Sequence, residues 1–532
     1  MTKQFSNYSD LLTFTRASKG HALRPVSYGD ELVTNGTFDS DTSGWTSSSA
    51  FTATLNQSAG ELSVTSTGNY GRALQAITCE IGKIYSLTCD VTEVGTTALV
   101  VVAIASSGTV NNAVFLKNDI TSTQTVTAIF VATQQTHYVS VGNQDVNTGV
   151  TSKFDNISVK EVLFDQPDGT LTLFEHPENI PRVEYDADGN RLGLLVEELR
   201  TNLITDSSGA SSDDATSGSS QTPNQTNSLT GLDDAFLVQA TNTGTSYRGQ
   251  RISVTSGTSY AASRFIKAGT TNFAQISMGT DGFGTNVYAN FDLSNGTVAT
   301  ESNCDASITE MGGGWYRCSI TKAATNTTSG TSPHYFTPVA SGTSAIRVAT
   351  SGDNVYQFGA QTEAGSFPTS YIKTTGNTKD RAADVAKIPV ADFGYNTAVG
   401  SVVAQYTPTK VNGDVRGVFE IAASTTSNRA YHSASEENHW LVRSEGATPA
   451  AIDIGTVSEN ANKVAAVYKK DDFAVSVNGA SVGTDTSGNV PTSIIEMNIG
   501  ALQNGFHLNG HIKSIKYYPR RLTNAQLQDI TS

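Results

Sequence analysis

No apolar run in this chain of 532 residues is longer than the eight of ALVVVAIA at 98–105, and apolar residues elsewhere come in short alternating stretches such as IYSLTCDV at 84–91. Alternation with period two lays one face of a strand on a core and turns the other to solvent, whereas an amphipathic helix needs apolar positions three and four apart. Gly, Asn, Asp and Ser break these stretches about every 8–12 positions, the spacing of strands in a sandwich. The fold class expected is therefore all-β, built as tandem β-sandwiches. One helix is expected, with Thr523 as N-cap and Leu527 and Ile530 on one face of residues 524–530. A membrane-crossing helix, which takes about 20 apolar residues, is not.

Charge narrows the partners. Thirty-four Lys and Arg stand against 49 Asp and Glu, a net charge of −15. A protein that neutralises phosphates across a basic face needs the opposite balance, so nucleic acid is not an expected partner, and neither is a membrane interior. The opening residues MTKQFSNYSDLLTFTRASKG carry polar side chains where a secretory leader has its apolar core. Export by the usual route is not expected. The four cysteines form two pairs close in sequence, Cys79 with Cys89 and Cys304 with Cys318, each near enough to face each other across two strands. Without a leader, free thiols are expected ahead of disulfides. No His or Cys neighbours them at zinc-ligand spacing.

Length over about 150 residues per domain suggests three or four domains. Composition breaks divide the chain into residues 1–30, 31–165, 166–204, 205–382 and 383–532. The first piece carries Phe5, Tyr8, Leu11, Leu12 and Phe14 ahead of Arg16, Lys19 and Arg24, which suits either a docking segment or a first strand. Residues 31–165 read as a sandwich closed by KFDNISVKEV at 153–162. The connector 166–204 reads as a hairpin around DADGN at 186–190, since the distal Glu of a calcium loop is not at its spacing. Residues 205–231, rich in Ser, Asp, Thr and Gln, are expected as a long surface loop of the second sandwich. An echo links the two sandwiches. Gly82-Lys-Ile-Tyr85 opens a strand in one and Gly257-Thr-Ser-Tyr260 in the other, and VYQFGAQTEAG at 355–365 ends the second as KFDNISVKEV ends the first. In the third sandwich, Val477-Asn478-Gly479 marks a hairpin turn.

Signs of catalysis are absent from the spacing. The adjacent acids Glu197/Glu198 and Asp471/Asp472 point to opposite faces of a strand, and no G-x-S-x-G elbow accompanies His432 and His439. A chain without enzymatic activity is expected. Sugar binding needs an aromatic platform with polar side chains beside it. Trp45, Trp315 and Trp440 fall one per sandwich; each has a core reading, and Trp440 and Trp45 are the candidates for glycan contact.

Three phrases resemble those of modular bacteriophage virion proteins, chiefly tail-fibre and other surface proteins: FTRAS at 14–18, PRVEYDADGNRLGLLVEELRTNLI at 181–204, and FGAQTEAGSFPTSYIKTTGNTKDRAADV at 358–385. NGTFDSDTSGW at 35–45 is similar to jelly-roll carbohydrate-binding modules, and the last 150 residues resemble concanavalin A-like or laminin G-like lectins. In such proteins the first two phrases lie near each other, so the residues between them look like an inserted module. The resemblance implies two jelly-roll-like modules and a C-terminal lectin-like sandwich behind a short N-terminal docking segment, with Phe5, Tyr8, Leu11, Phe14 and Arg16 as docking residues. It implies a homo-oligomer, a trimer first, assembled in the bacterial cytoplasm with other virion proteins and displayed on the virion surface. Its partner there is host surface polysaccharide; a capsid-decorating role and a glycan-degrading enzyme are the alternatives. It also implies a structural calcium ion, with Asp155 as one ligand.

Overall fold

The structure, a computed structural model, describes residues 12–95, 99–107, 112–207, 215–232, 234–503 and 505–532. Among them are 42 strands and three helical segments, so the fold is all-β. The chain divides into two compact units, Pro25–Thr170 and the remainder.

Pro25–Thr170 is a sandwich. One sheet runs Gln124–Val131, Ile84–Glu93, Thr151–Phe164 and then residues 26–31, with Glu61–Ser66 also alongside Thr151–Phe164 and Ala53–Ser58 beyond it. The other runs Thr46–Ser47, Arg72–Thr78, Thr136–Asn143, Val100–Ala105 and Phe115–Ile120. Alternate residues of both, Leu87, Cys89, Val102, Ile104, Val139 and Phe154 among them, fill the core.

The second unit holds two more sandwiches. Residues 215–364 form two six-stranded sheets. One runs Ala215–Ser217, Tyr247–Val254, Thr328–Val339, Phe273–Met278, Tyr288–Asp292, Thr297–Ser302; the other Ser219–Thr226, Ala235–Ala240, Asn354–Ala364, Ser259–Ala268, Trp315–Ala323, Asp305–Gly312. The surface loop expected over 205–231 is thus corrected in part, because Ala215–Ser217 and Ser219–Thr226 are the edge strands of these sheets. An edge strand meets water along one side and buries little, so a polar sequence suffices, and Pro223 sits where no central ladder bond is lost. Residues 208–214 lie outside the described residues.

The internal echo holds down to single hydrogen bonds. The Tyr85 hydroxyl accepts the N–H of Glu80 at 2.8 Å, and the Tyr260 hydroxyl that of Thr255 at 2.9 Å. Gly82 and Gly257 take φ of +84° and +82°, and each donates to the carbonyl of an alanine at 2.8 Å, Ala132 and Ala324 respectively. Those alanines return bonds of 2.9 Å to Lys83 and Thr258. Glycine at these two turns adopts at no steric cost a conformation that a side chain would strain.

The C-terminal sandwich has two seven-stranded sheets, and neither is made from its own stretch of sequence alone. Thr13–Thr15 pairs with Val385–Pro389 at the edge of one, beyond which lie Glu496–Ile499, Arg416–Ala422, Arg429–Ala434, Glu437–Ser444 and Ala447–Thr456. The hairpin Val183–Tyr185 and Arg191–Val196 extends the other, through Gly510–Tyr518, to Val399–Pro408, Asn462–Lys469, Phe473–Val477 and Gly483–Asp485. The hairpin turns on Asp186, whose Oδ1 accepts the N–H groups of Asp188 and Asn190 at 3.0 and 2.8 Å. Asn478 and Gly479, both at positive φ, form the turn after Phe473–Val477. The helix Asn524–Thr531 starts from a capping box between Thr523 and Gln526. All four cysteines are free thiols.

Candidate functional site

The outer face of the first six-stranded sheet gathers three tyrosines, a serine and an arginine. Along Thr328–Val339, Phe336 enters the core and His334 reaches across to the Thr362 hydroxyl at 3.0 Å, so Tyr335 and Thr337 turn outward. Tyr335 stands opposite Ser277 on the next strand, and Ser277 opposite Tyr288 on the one after. Tyr247, from the strand on the other side, meets the Tyr335 ring edge-on at 4.6 Å. The Arg347 guanidinium lies over these rings, 4.5 Å from the Tyr335 centre and 5.6 Å from that of Tyr247.

Arg347 is held from its backbone. Its N–H donates to Gln275 Oε1 at 2.6 Å, Gln275 Nε2 donates to Asn290 Oδ1 at 2.7 Å, and Asn290 Nδ2 donates to the carbonyls of Gly342 and Ser344 at 3.1 and 2.8 Å. The amides of the sheet thus clamp the loop that presents the cation. Among the described residues the guanidinium has no hydrogen-bond or ion-pair partner, and the hydroxyls of Tyr247, Tyr288 and Tyr335 have none. Ser277 Oγ is buried between the tyrosines without a partner. Burial pushes the Tyr335 phenol up and Arg347 offsets part of that, so at neutral pH it is a protonated donor. Rings with free hydroxyls beside an unpaired cation make a face that grips a flat, hydroxylated ligand by stacking and hydrogen bonds together.

The tryptophans do not form this site. Trp440 is 0 % exposed, with its ring centre 5.9 Å from that of Phe419 in the C-terminal core. Trp45 is 6 % exposed, 5.6 Å from Phe38, and its Nε1 donates to the Asn35 carbonyl at 3.3 Å. An indole with no open face offers no stacking platform, so both assignments are corrected from glycan contact to core. Trp315 is core too, edge-on to Phe358. Asp155 stands opposite Asp90 and accepts the N–H of Asn156 at 2.8 Å. Among the described residues no three His, Cys, Asp or Glu side chains are grouped to hold a metal ion.

Of the docking set, Phe5, Tyr8 and Leu11 lie outside the described residues. Phe14 and Arg16 are corrected, because both are consumed inside the chain: Phe14 in the core of the C-terminal sandwich, Arg16 in a buried ion cluster. Arg16 Nη1 meets Asp384 Oδ1 at 3.2 Å. Arg182 Nη2 meets Asp384 Oδ2 at 2.5 Å and Glu197 Oε2 at 2.8 Å, and Arg381 Nη1 lies 3.4 Å from the same Glu197 oxygen. Ser370 donates N–H and Oγ–H to Glu197 at 2.7 and 2.6 Å. Burial alone would raise the Glu197 carboxyl, but Arg381, Arg182 and Ser370 outweigh it and hold the group well below the carboxylate range. Burial, with Arg182 nearby, lowers Arg16 to about 10. The three phrases FTRAS, PRVEYD…LRTNLI and FGAQ…RAADV therefore meet in one buried cluster.

No protein-family model matches the chain, and no curated protein matches it. Among solved structures it is similar to the CBM40 of Ruminococcus gnavus IT-sialidase (15 % identity, 25 % of this chain and 83 % of that one, TM-score 0.23). It is similar to the CBM22-1–CBM22-2 tandem of Paenibacillus barcinonensis Xyn10C as well (14 %, 64 % and 98 %, TM-score 0.20). Trypanosoma rangeli sialidase aligns along 96 % of this chain and 93 % of its own, at 10 % identity and TM-score 0.22. The expectation of a chain without enzymatic activity is corrected by these full-length sialidase neighbours and no longer stands. At such scores they assign neither a reaction nor a residue.

Proposed function

We propose that the chain binds glycans through the outer face formed by Tyr247, Tyr288, Tyr335, Ser277 and Arg347, as a surface protein of a bacteriophage particle that recognises host polysaccharide. The observation that carries the reading is the clamped Arg347 over two tyrosine rings, with guanidinium and hydroxyls free for a ligand. Sugar rings match such a face, since they stack through their C–H sides and exchange hydrogen bonds through their hydroxyls. A single shallow face binds weakly, and repetition on a homo-oligomer raises the effective concentration without a new contact. The particle part of the reading rests on the three phrases, and their convergence on one ion cluster supports taking them as a single architectural block.

The test is calorimetric titration with host surface polysaccharide. The intact chain binds, and Tyr335→Ala together with Arg347→Ala weakens binding at least tenfold, or about 1.4 kcal/mol. Undiminished binding by that double variant overturns the assignment of the face. Immunogold labelling of purified particles tests the location, and unlabelled particles reject it.

A further inference from the structure

The hairpin between Arg429–Ala434 and Glu437–Ser444, in the C-terminal sandwich, brings together three side chains whose roles the tyrosine face leaves unused. Alternation sends Asn438, Trp440 and Val442 inward and His439 outward. His439 stands directly opposite Asp453 on Ala447–Thr456, and Ser435 lies at the tip of the hairpin. His439 Nδ1 is 2.6 Å from Asp453 Oδ1, and His439 Nε2 is 3.0 Å from Ser435 Oγ. We propose that Ser435, His439 and Asp453 form a hydrolytic centre for neutral carboxylic esters.

Geometry assigns the roles. The carboxylate on Nδ1 takes the N–H of the ring, which leaves the Nε2 lone pair facing the serine hydroxyl. Ser435 is the nucleophile, His439 the base, and Asp453 a positioning residue that holds the tautomer. The site is open to substrate, with the side chains of His439 and Asp453 26 % and 65 % exposed. Glu436 and Glu437, both exposed beside Ser435, repel an anionic substrate. Leu441, two positions along the same face and partly exposed, offers apolar surface to an acyl group.

The reaction needs only water as co-reactant. Ser435 Oγ adds to the ester carbonyl carbon as its proton passes to His439 Nε2. The bond to the alcohol oxygen then breaks, and that oxygen leaves with the proton from Nε2. Water adds to the acyl-serine and gives its proton to Nε2. The acyl–Oγ bond breaks, Oγ recovers the proton, and a carboxylic acid departs. An exposed aspartate orients the ring less firmly than a buried one because water screens it, so slow turnover of activated esters is expected.

The full chain is incubated with p-nitrophenyl acetate and, separately, with a fluorophosphonate whose attachment is mapped by peptide mass spectrometry. Hydrolysis above the buffer rate and labelling at Ser435 are expected. Ser435→Ala abolishes both, and His439→Ala lowers both by about 100-fold or more. Ser435 and His439 lie on a surface hairpin and Asp453 on the strand beside it, all three at least partly exposed, so the variants keep the unfolding temperature of the parent chain. Asp453→Asn slows labelling at unchanged unfolding temperature and Asp453→Glu restores it, which a purely structural aspartate does not predict. Hydrolysis by Ser435→Ala at the parent rate, or label on any other residue, overturns the proposal.

Discussion

Ile84–Glu93 and Ser259–Ala268 hold equivalent places in two sandwiches and are entered by the same glycine turn and tyrosine bond, yet they are buried differently. In the first, Tyr85, Leu87, Cys89 and Val91 are buried while Ser86, Thr88 and Asp90 between them are partly open. In the second, every residue from Tyr260 to Ile266 is buried. Tyr260, Ala262 and Ile266 face the sandwich core. Phe265 faces a second apolar cluster with Leu23, Leu173, Trp315, Phe358 and Tyr371. A repeated design therefore sets the turn and the inner face, whereas the outer face follows whatever the rest of the chain lays over it. The outer faces of the partner sheets diverge in the same way. Tyr335 and Tyr247 project from one sandwich, while Ser140 and Leu74 occupy the matching sheet of the other.

The comparison breaks most readily at the ion cluster. Arg182→Ala leaves Glu197 and Asp384 short of a buried partner and is expected to cost about 3–5 kcal/mol. Scanning calorimetry should show the transition of the second unit falling while that of Pro25–Thr170 stays in place; a joint shift would mean that the two units do not unfold separately. A more local contrast is Phe265→Ala, expected to cost about 3–5 kcal/mol as a cavity between aromatic rings. Its positional counterpart in the first sandwich is Asp90, polar and half open, and Asp90→Asn should cost no more than about 1 kcal/mol. Equal losses in the two variants would refute the difference in burial.

Acid sharpens the contrast through its sign. Glu197 titrates lower in the folded chain than in the unfolded one, so its stabilisation is present above the unfolded value of about 4.3 and is lost as pH falls below it. Asp155, in Pro25–Thr170, is raised by burial and by Asp90, so its folded form takes up a proton more readily and its contribution to stability improves on acidification. Urea unfolding between pH 6 and pH 3 (roughly the span around these values) should show Glu197→Gln flattening the acid loss of the second unit. Asp155→Asn should leave that loss unchanged. The smallest effect tests the likeness itself: Tyr85→Phe and Tyr260→Phe each remove one hydroxyl bond and should each cost about 1 kcal/mol. Costs that differ several-fold would show that the shared turn does not carry equal weight.

Much of this architecture is legible before any coordinates. Period-two alternation marks Ile84–Glu93, the Asn478-Gly479 pair marks a turn, and Thr523 marks the helix start, because each is set by neighbours within a few residues. The candidate site was not legible from tryptophan, the residue type that draws attention first. Trp440 and Trp45 are large and apolar, and a sandwich core takes such residues before a surface does. The available signal was parity: in HYF, Tyr335 sits one step from Phe336 and must face the other way, and Tyr247 and Arg347 join it only across the sheet. The docking reading of Phe14 and Arg16 failed for a related reason, since a short segment of apolar and basic residues has the same composition whether it meets another protein or its own edge strand.

The sequence by itself determined the strands, the turns, the repeated tyrosine bond and the all-β class, all of them products of local backbone geometry and short-range periodicity. Only the tertiary structure decided which charges are buried together and which polar groups meet. Arg16 and Asp384 are separated by 368 residues, and Ser435, His439 and Asp453 meet only through strand register. A charged residue has the same local signature at a surface as in a buried cluster, because its cost or gain is set by the solvent it loses and the opposite charge it finds. Both are properties of folded space rather than of position along the chain.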